Sequence, residues 1–209
     1  MSLIPETLDD IPNENEPNEI QSLDGEEEKS VISIAEESTT TATSTINKIY
    51  ELCNDSKESD DEHWEEIREW LTTQPKNIIE EGVETAGEFN SCALHLVCRN
   101  NPPVDIVKLL CTISPHIAEY ADLFGWLPLH YACANGADEQ VIQVLIEVCP
   151  SSMLTADKKG RTPLHFALNL NRPASPFAIE LLAATGAAKL ADENGMLPIH
   201  YGKCAYTIK

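Results

Sequence analysis

LPLHYAC, residues 127–133, returns three more times in the chain, as CALHLVC (92–98), TPLHFAL (162–168) and LPIHYGK (197–203). Its histidine, His130, is thereby one of four, with His95, His165 and His200, spaced 35 residues apart. A fixed period of this size means stacked supersecondary units, each unable to bury its apolar face without its neighbours. Such stacks present a long binding surface and seldom a chemical pocket. Spaced so regularly, the histidines read as one structural feature repeated rather than as separate chemical groups.

The unit that begins at Asp122 can be read residue by residue. Asp122-Leu-Phe-Gly125 is a tight turn, with Asp bonding its own backbone and Gly supplying a positive φ. Pro128 suits the first turn of a helix, where its missing N–H would have had no partner. The helix predicted over Pro128–Asn135 buries Leu129, Ala132 and Cys133, and Gly136 closes it. A second helix from about Asp138 to Val148 places Val141, Ile142, Val144, Leu145 and Val148 on one face, and Pro150 stops it. The next unit repeats this from Asp157 through Gly160, Pro163 and Leu164, with Phe177, Ile179, Leu181 and Leu182 as its second apolar face. A partial unit opens at Asp192.

The pattern D-x-x-G-x-[TL]-P-[LI]-H-[YF]-[AG] resembles the ankyrin repeat over roughly residues 64–209. The resemblance implies an all-α solenoid of finger turns and antiparallel helix pairs, with units starting near 87, 122, 157 and 192. It also implies non-catalytic binding of a protein partner through the concave face of fingers and inner helices. The variable positions carried over are Phe124 and Trp126, then Lys158, Lys159 and Arg161, then Glu193 and Met196, with Arg99, Asn135 and Asn169 on the inner helices. Phe124 and Trp126 are expected as an exposed apolar anchor, and Lys158, Lys159 and Arg161 as a cluster that steers an acidic or phosphorylated partner. His95, His130, His165 and His200 are expected to tie one unit to the next.

Departures from the pattern carry information. The motif Thr survives only as Thr162; Cys92, Leu127 and Leu197 replace it elsewhere, and loss of a helix cap costs about 0.5–2 kcal/mol. In the first unit Gly87, Asn90, Cys92 and Ala93 stand where Asp, Gly, Thr and Pro are expected. Upstream, HWEEIREWL (63–71) puts Trp64, Ile67, Trp70 and Leu71 on one helical face, which predicts a single outer capping helix near 62–74. Ile46, Ile49, Tyr50 and Cys53 are spaced for a short helix laid against the first repeat.

Charge divides the chain. Of the acids, 25 lie in residues 1–90 against 5 bases, while residues 91–209 hold 10 against 9, within a net charge of −21. Residues 1–60, rich in Glu, Asp, Ser, Thr and Pro, are expected to be a disordered acidic tail ahead of a folded domain over 61–209. Glu26–Glu37 resembles a SUMO-interacting motif, and Ser33 and Ser59, each with an acid three positions on, resemble sites for acid-directed kinases. The strong negative charge argues against nucleic acid as a partner. The absence of a basic amphipathic helix argues against a membrane.

Nothing in the chain reads as a secretory signal or transit peptide. The seven cysteines form no CxxC pair and fall largely at helix-core positions, as reduced thiols do in the cytosol or nucleus. Cys92, His95 and Cys98, like His130 and Cys133, have metal-ligand spacing, but the same positions serve as core in other units, so no metal is expected. No nucleophile elbow, phosphate-cradling loop or HExxH motif is present, and neither catalytic residues nor a cofactor are expected. A monomer is expected. Two rival functional readings remain: a self-regulated adaptor whose acidic tail masks the basic finger, and the binding fragment of a larger adaptor.

Overall fold

The computed structural model describes residues 47–54, 61–169 and 172–203. The tail over 1–46, the SUMO-like run, Ser33 and Ser59 lie outside these residues. The described residues are helical, with no strand among them.

Three helices precede the first finger: α1 (47–54), α2 (Asp61–Thr73) and α3 (Lys76–Glu84). The boundary expected near residue 60 is therefore corrected. Ile49, Leu52 and Cys53 of α1 are buried in the same core as the repeats. The side-chain amide of Asn100 donates to the Cys53 carbonyl (3.3 Å), and Arg99 donates to the Asn54 side chain (3.1 Å). The α1 stretch holds enough spaced apolar residues to gain from docking, although it sits within acidic sequence.

In α2, Trp64, Ile67, Trp70 and Leu71 are buried as their spacing predicts. The expectation of a single capping helix is also corrected, because α3 follows immediately. It starts after Pro75 and buries Ile79, Gly82 and Val83. The sequence hid this helix because Gly82 reads as a breaker inside it. Both α2 and α3 pack on the first outer helix, and Arg68 of α2 forms an ion pair with Asp105 at its start.

The repeats then alternate inner and outer helices. The inner ones are α4 (Ala93–Arg99), α6 (Pro128–Asn135), α8 (Pro163–Ala167) and α10 (Pro198–Lys203). The outer ones are α5 (Val104–Ile113), α7 (Glu139–Val148) and α9 (Pro176–Ala184). Inner helices stack on inner and outer on outer, as α4–α6–α8–α10 and α5–α7–α9. Leu94, Leu129 and Leu164, equivalent by the period, are each about fully buried. The next equivalent, Ile199, is 51 % exposed because no described unit follows it. One apolar face is corrected: Phe177 is exposed, Ile179 and Leu181 are half-buried, and Ala178 and Leu182 hold the inward side of α9. Residues four apart share a helical face, so Leu182 follows Ala178 inward and Leu181 follows Phe177 toward its edge.

The first finger keeps its shape without its signature. Gly87 N–H donates to the Ser91 carbonyl (2.9 Å), as Asp122 N–H does to Trp126 (3.0 Å). Asn90 adopts φ 60°, the left-handed conformation that Gly125 supplies one unit later at φ 81°. A side chain at Gly87 would run into the ring of Tyr50 from α1. The Asp of the motif is thus replaced by the residue that lets α1 close over the first unit.

Candidate partner-binding cleft on the finger face

All four motif histidines bond at the start of their own inner helix, and His95, His130 and His165 also fasten it to the following unit. The N–H of the residue before the inner helix donates to the histidine Nδ1: Cys92 to His95 (3.2 Å), Leu127 to His130 (3.0 Å), Thr162 to His165 (3.0 Å) and Leu197 to His200 (2.9 Å). Because Nδ1 accepts, the proton sits on Nε2. That N–H donates to a carbonyl of the following finger, from His95 to Trp126 (3.1 Å), from His130 to Arg161 (3.2 Å) and from His165 to Met196 (3.1 Å). The same bond is made in all four units, whether or not the preceding residue is Thr. Cys92 Sγ lies 3.0 Å from His95 Nδ1 as a hydrogen-bonding neighbour. Among the described residues no three His, Cys, Asp or Glu converge as metal ligands.

Burial holds the His130 imidazole down at about 4 from an ordinary 6.5, and shifts His95 the same way. Between about pH 6.5 and 4 the unfolded chain takes up a proton that the folded stack refuses. Stability is complete above that window and falls as the pH drops through it, by up to about 1.4 kcal/mol per pH unit for each such histidine. Urea midpoints should decline from pH 7 to pH 5. A midpoint unchanged across that range would contradict the buried neutral imidazoles.

The finger carboxylates follow a second rule. Asp122 Oδ1 accepts from the N–H groups of Phe124 (2.8 Å) and Trp126 (2.8 Å), and Oδ2 accepts from the Tyr131 hydroxyl (2.8 Å). Asp192 repeats this with Asn194, Met196 and the Tyr201 hydroxyl (2.7 Å). The unit between them has Phe166 where the others have Tyr, so Asp157 Oδ2 lacks that donor. Arg161 and Trp126 supply it instead, through the guanidinium (2.7 Å from Nη2) and the indole Nε1 (3.1 Å). Burial alone would raise the Asp157 carboxyl; the Arg161 guanidinium and the turn N–H groups outweigh it and hold it low.

These substitutions build an aromatic cluster at the root of the fingers. The Trp126 ring meets Phe166 (centroids 4.4 Å apart) and Tyr131 (4.9 Å), both edge-on. The Arg161 guanidinium lies over Phe166 at 4.6 Å and near Trp126 at 5.6 Å. A cleft of about 410 Å³ opens above, lined by Phe124, Trp126, Tyr131, Asp157, Lys158, Lys159 and Arg161.

The family model described as "Ankyrin repeats (3 copies)" matches residues 66–151 and 94–187, together more than half of the chain. The chain belongs to the ankyrin-repeat family. A search of the curated proteins returns no match. The fold is the all-helical ankyrin solenoid, and such repeats are generally protein–protein interaction modules.

Within that ankyrin stack, five of the sequence-derived positions, Phe124, Trp126, Lys158, Lys159 and Arg161, come together on one cleft. Two of them differ from expectation. Trp126 is half-buried and packed, and Arg161 is neutralised by Asp157 instead of standing free. Arg99, Asn135, Asn169, Glu193 and Met196 do not line the cleft. Asn135 donates to the Tyr131 carbonyl (2.9 Å), and Met196 is 40 % exposed on the last finger. Sequence reasoning missed Tyr131 and Phe89. Tyr131 lies within the motif itself, and the Tyr-to-Phe alternation along the repeats was the signal for it. Phe89 sits at the tip of the unrecognised first finger, its ring 5.7 Å from that of Phe124.

Proposed function

We propose that this ankyrin-repeat protein is a non-catalytic adaptor that binds a protein partner in the cleft between its second and third fingers. The observation that carries this reading is Phe124. This residue is 52 % exposed at the mouth of a cleft that also holds the packed rings of Trp126 and Tyr131, where burial by a partner contributes strongly to affinity. Trp126 and Tyr131 form the floor, and Asp157 with Arg161 fixes the floor's shape. Lys158 and Lys159 supply the accessible charge at the rim.

Phe124→Ala is expected to weaken partner binding by about 1–2 kcal/mol, roughly 5- to 30-fold, with little loss of stability. The check is capture from lysate of the source cells by the full chain and by the variant, after circular dichroism shows equal folding. A partner lost from the variant and then measured as a purified pair supports the cleft. Equal capture of every partner moves the working surface elsewhere.

A further inference from the structure

We infer, resting on that reading of the cleft, that its ligand is an extended acidic peptide segment carrying an apolar side chain with a carboxylate about three residues away. The argument begins with the finger tips, which form one continuous row. Leu123 N–H donates to the Phe89 carbonyl (2.8 Å), Lys158 N–H to Phe124 (3.0 Å) and Glu193 N–H to Lys159 (2.9 Å). Successive tips are therefore held in fixed register by backbone bonds.

Along the first three fingers of this row the chemistry changes from apolar to cationic. Phe89, Leu123 and Phe124 on the first two fingers are each more than half exposed. Lys158 and Lys159 on the third are exposed, with no ion pair among the described residues. The cleft spans this change, with Phe124 on one wall and the lysines on the other. An apolar side chain entering between Phe124, Trp126 and Tyr131 leaves its neighbours in the segment beside two ammonium groups. Stacked units are on the order of 10 Å apart and an extended chain advances about 3.3 Å per residue, which places the acid about three positions from the anchor.

The same geometry argues against a polyanion. Two exposed lysines over one finger neutralise few phosphates, and the chain around them carries a net charge of −21. A short segment contacts only this island, and beyond about 8–10 Å salt screens the remainder. Glu193 on the next finger sets the far limit, because an acid placed there meets like charge.

The test is selection from a display library of random short linear peptides on the full chain, on Phe124→Ala and on the double variant Lys158→Glu, Lys159→Glu. The expected result is an apolar residue with Asp or Glu about three positions away. Affinity should fall on the order of tenfold or more in each variant. The charge-reversed variant should in turn select Lys or Arg at the same distance. Peptides with neutral or basic residues at that distance, still lost on Phe124→Ala, overturn the acidic assignment and leave the cleft as the binding surface. Peptides that bind Phe124→Ala as tightly as the wild type, or no selected peptide at all, overturn both. Tighter binding of a labelled RNA than of any acidic peptide, abolished in the charge-reversed variant, also overturns it.

Discussion

His130→Ala is expected to destabilise the stack by about 2–4 kcal/mol. The imidazole is fully buried, and its loss leaves one backbone group without its partner and removes a tie to the next unit. The Leu127 N–H loses its acceptor at the start of α6, and the Arg161 carbonyl loses its donor from the preceding unit while keeping the Asp157 N–H (2.9 Å). A buried N–H left without a partner costs about 1–3 kcal/mol, and alanine leaves a cavity as well. Because repeat stability is a sum of units and the interfaces between them, the damage falls on the joint between the second and third units. His200 provides the control. It caps its own helix through Leu197 N–H, yet no described finger follows to accept from Nε2. His200→Ala should therefore cost about 0.5–2 kcal/mol, the range for a lost cap. Urea denaturation of both variants decides the matter, and equal losses would sink the stapling role.

Trp126→Ala is expected to lower stability by about 2–4 kcal/mol, and this separates it from Phe124→Ala. The indole packs edge-on against Phe166 and Tyr131 and donates to Asp157, which has no Tyr hydroxyl of its own to bind. Removing it exposes the Phe166 ring, which is 7 % exposed, and leaves Arg161 as the sole side-chain donor to Asp157 Oδ2. A thermal melt that moves by several degrees confirms packing. An unchanged melt together with lost binding would return Trp126 to the role of a free surface anchor. Trp126→Phe should recover most of the aromatic packing but not the Asp157 bond, so its stability should lie between the two.

The contrast between these residues shows where sequence reading reached its limit. The period, the turns and the helix starts were legible because each rests on local chemistry: Gly at positive φ, Pro at the first helical turn, His at a fixed offset from the N-cap. The same period located the finger tips, and five of those positions do line one cleft. Whether a ring at such a position is free or packed depends on residues a full unit away. Trp126 is packed because the ring of Phe166, 40 residues on, lies against it, and its Nε1 donates to an Asp157 that has no Tyr hydroxyl to bind. Arg161 is neutralised by that same Asp157. No feature of the finger itself distinguishes Phe124, which stays exposed, from Trp126, which does not.

The N-terminal edge makes the point from the other side. Composition placed residues 47–54 in an acidic tail while the spacing of Ile49, Tyr50 and Cys53 read as a short helix against the first repeat, and it is the second reading that α1 follows, with Ile49 and Cys53 buried. Gly87 looked like a defect in the motif until the ring of Tyr50 was found against it. The sequence by itself determined the architecture, because a 35-residue period with local turn and cap chemistry admits only a stack of helix pairs. Tertiary structure alone decided which finger side chains remain available to a partner. Burial and donor pairing there are set between units, by side chains that meet only when the repeats are stacked.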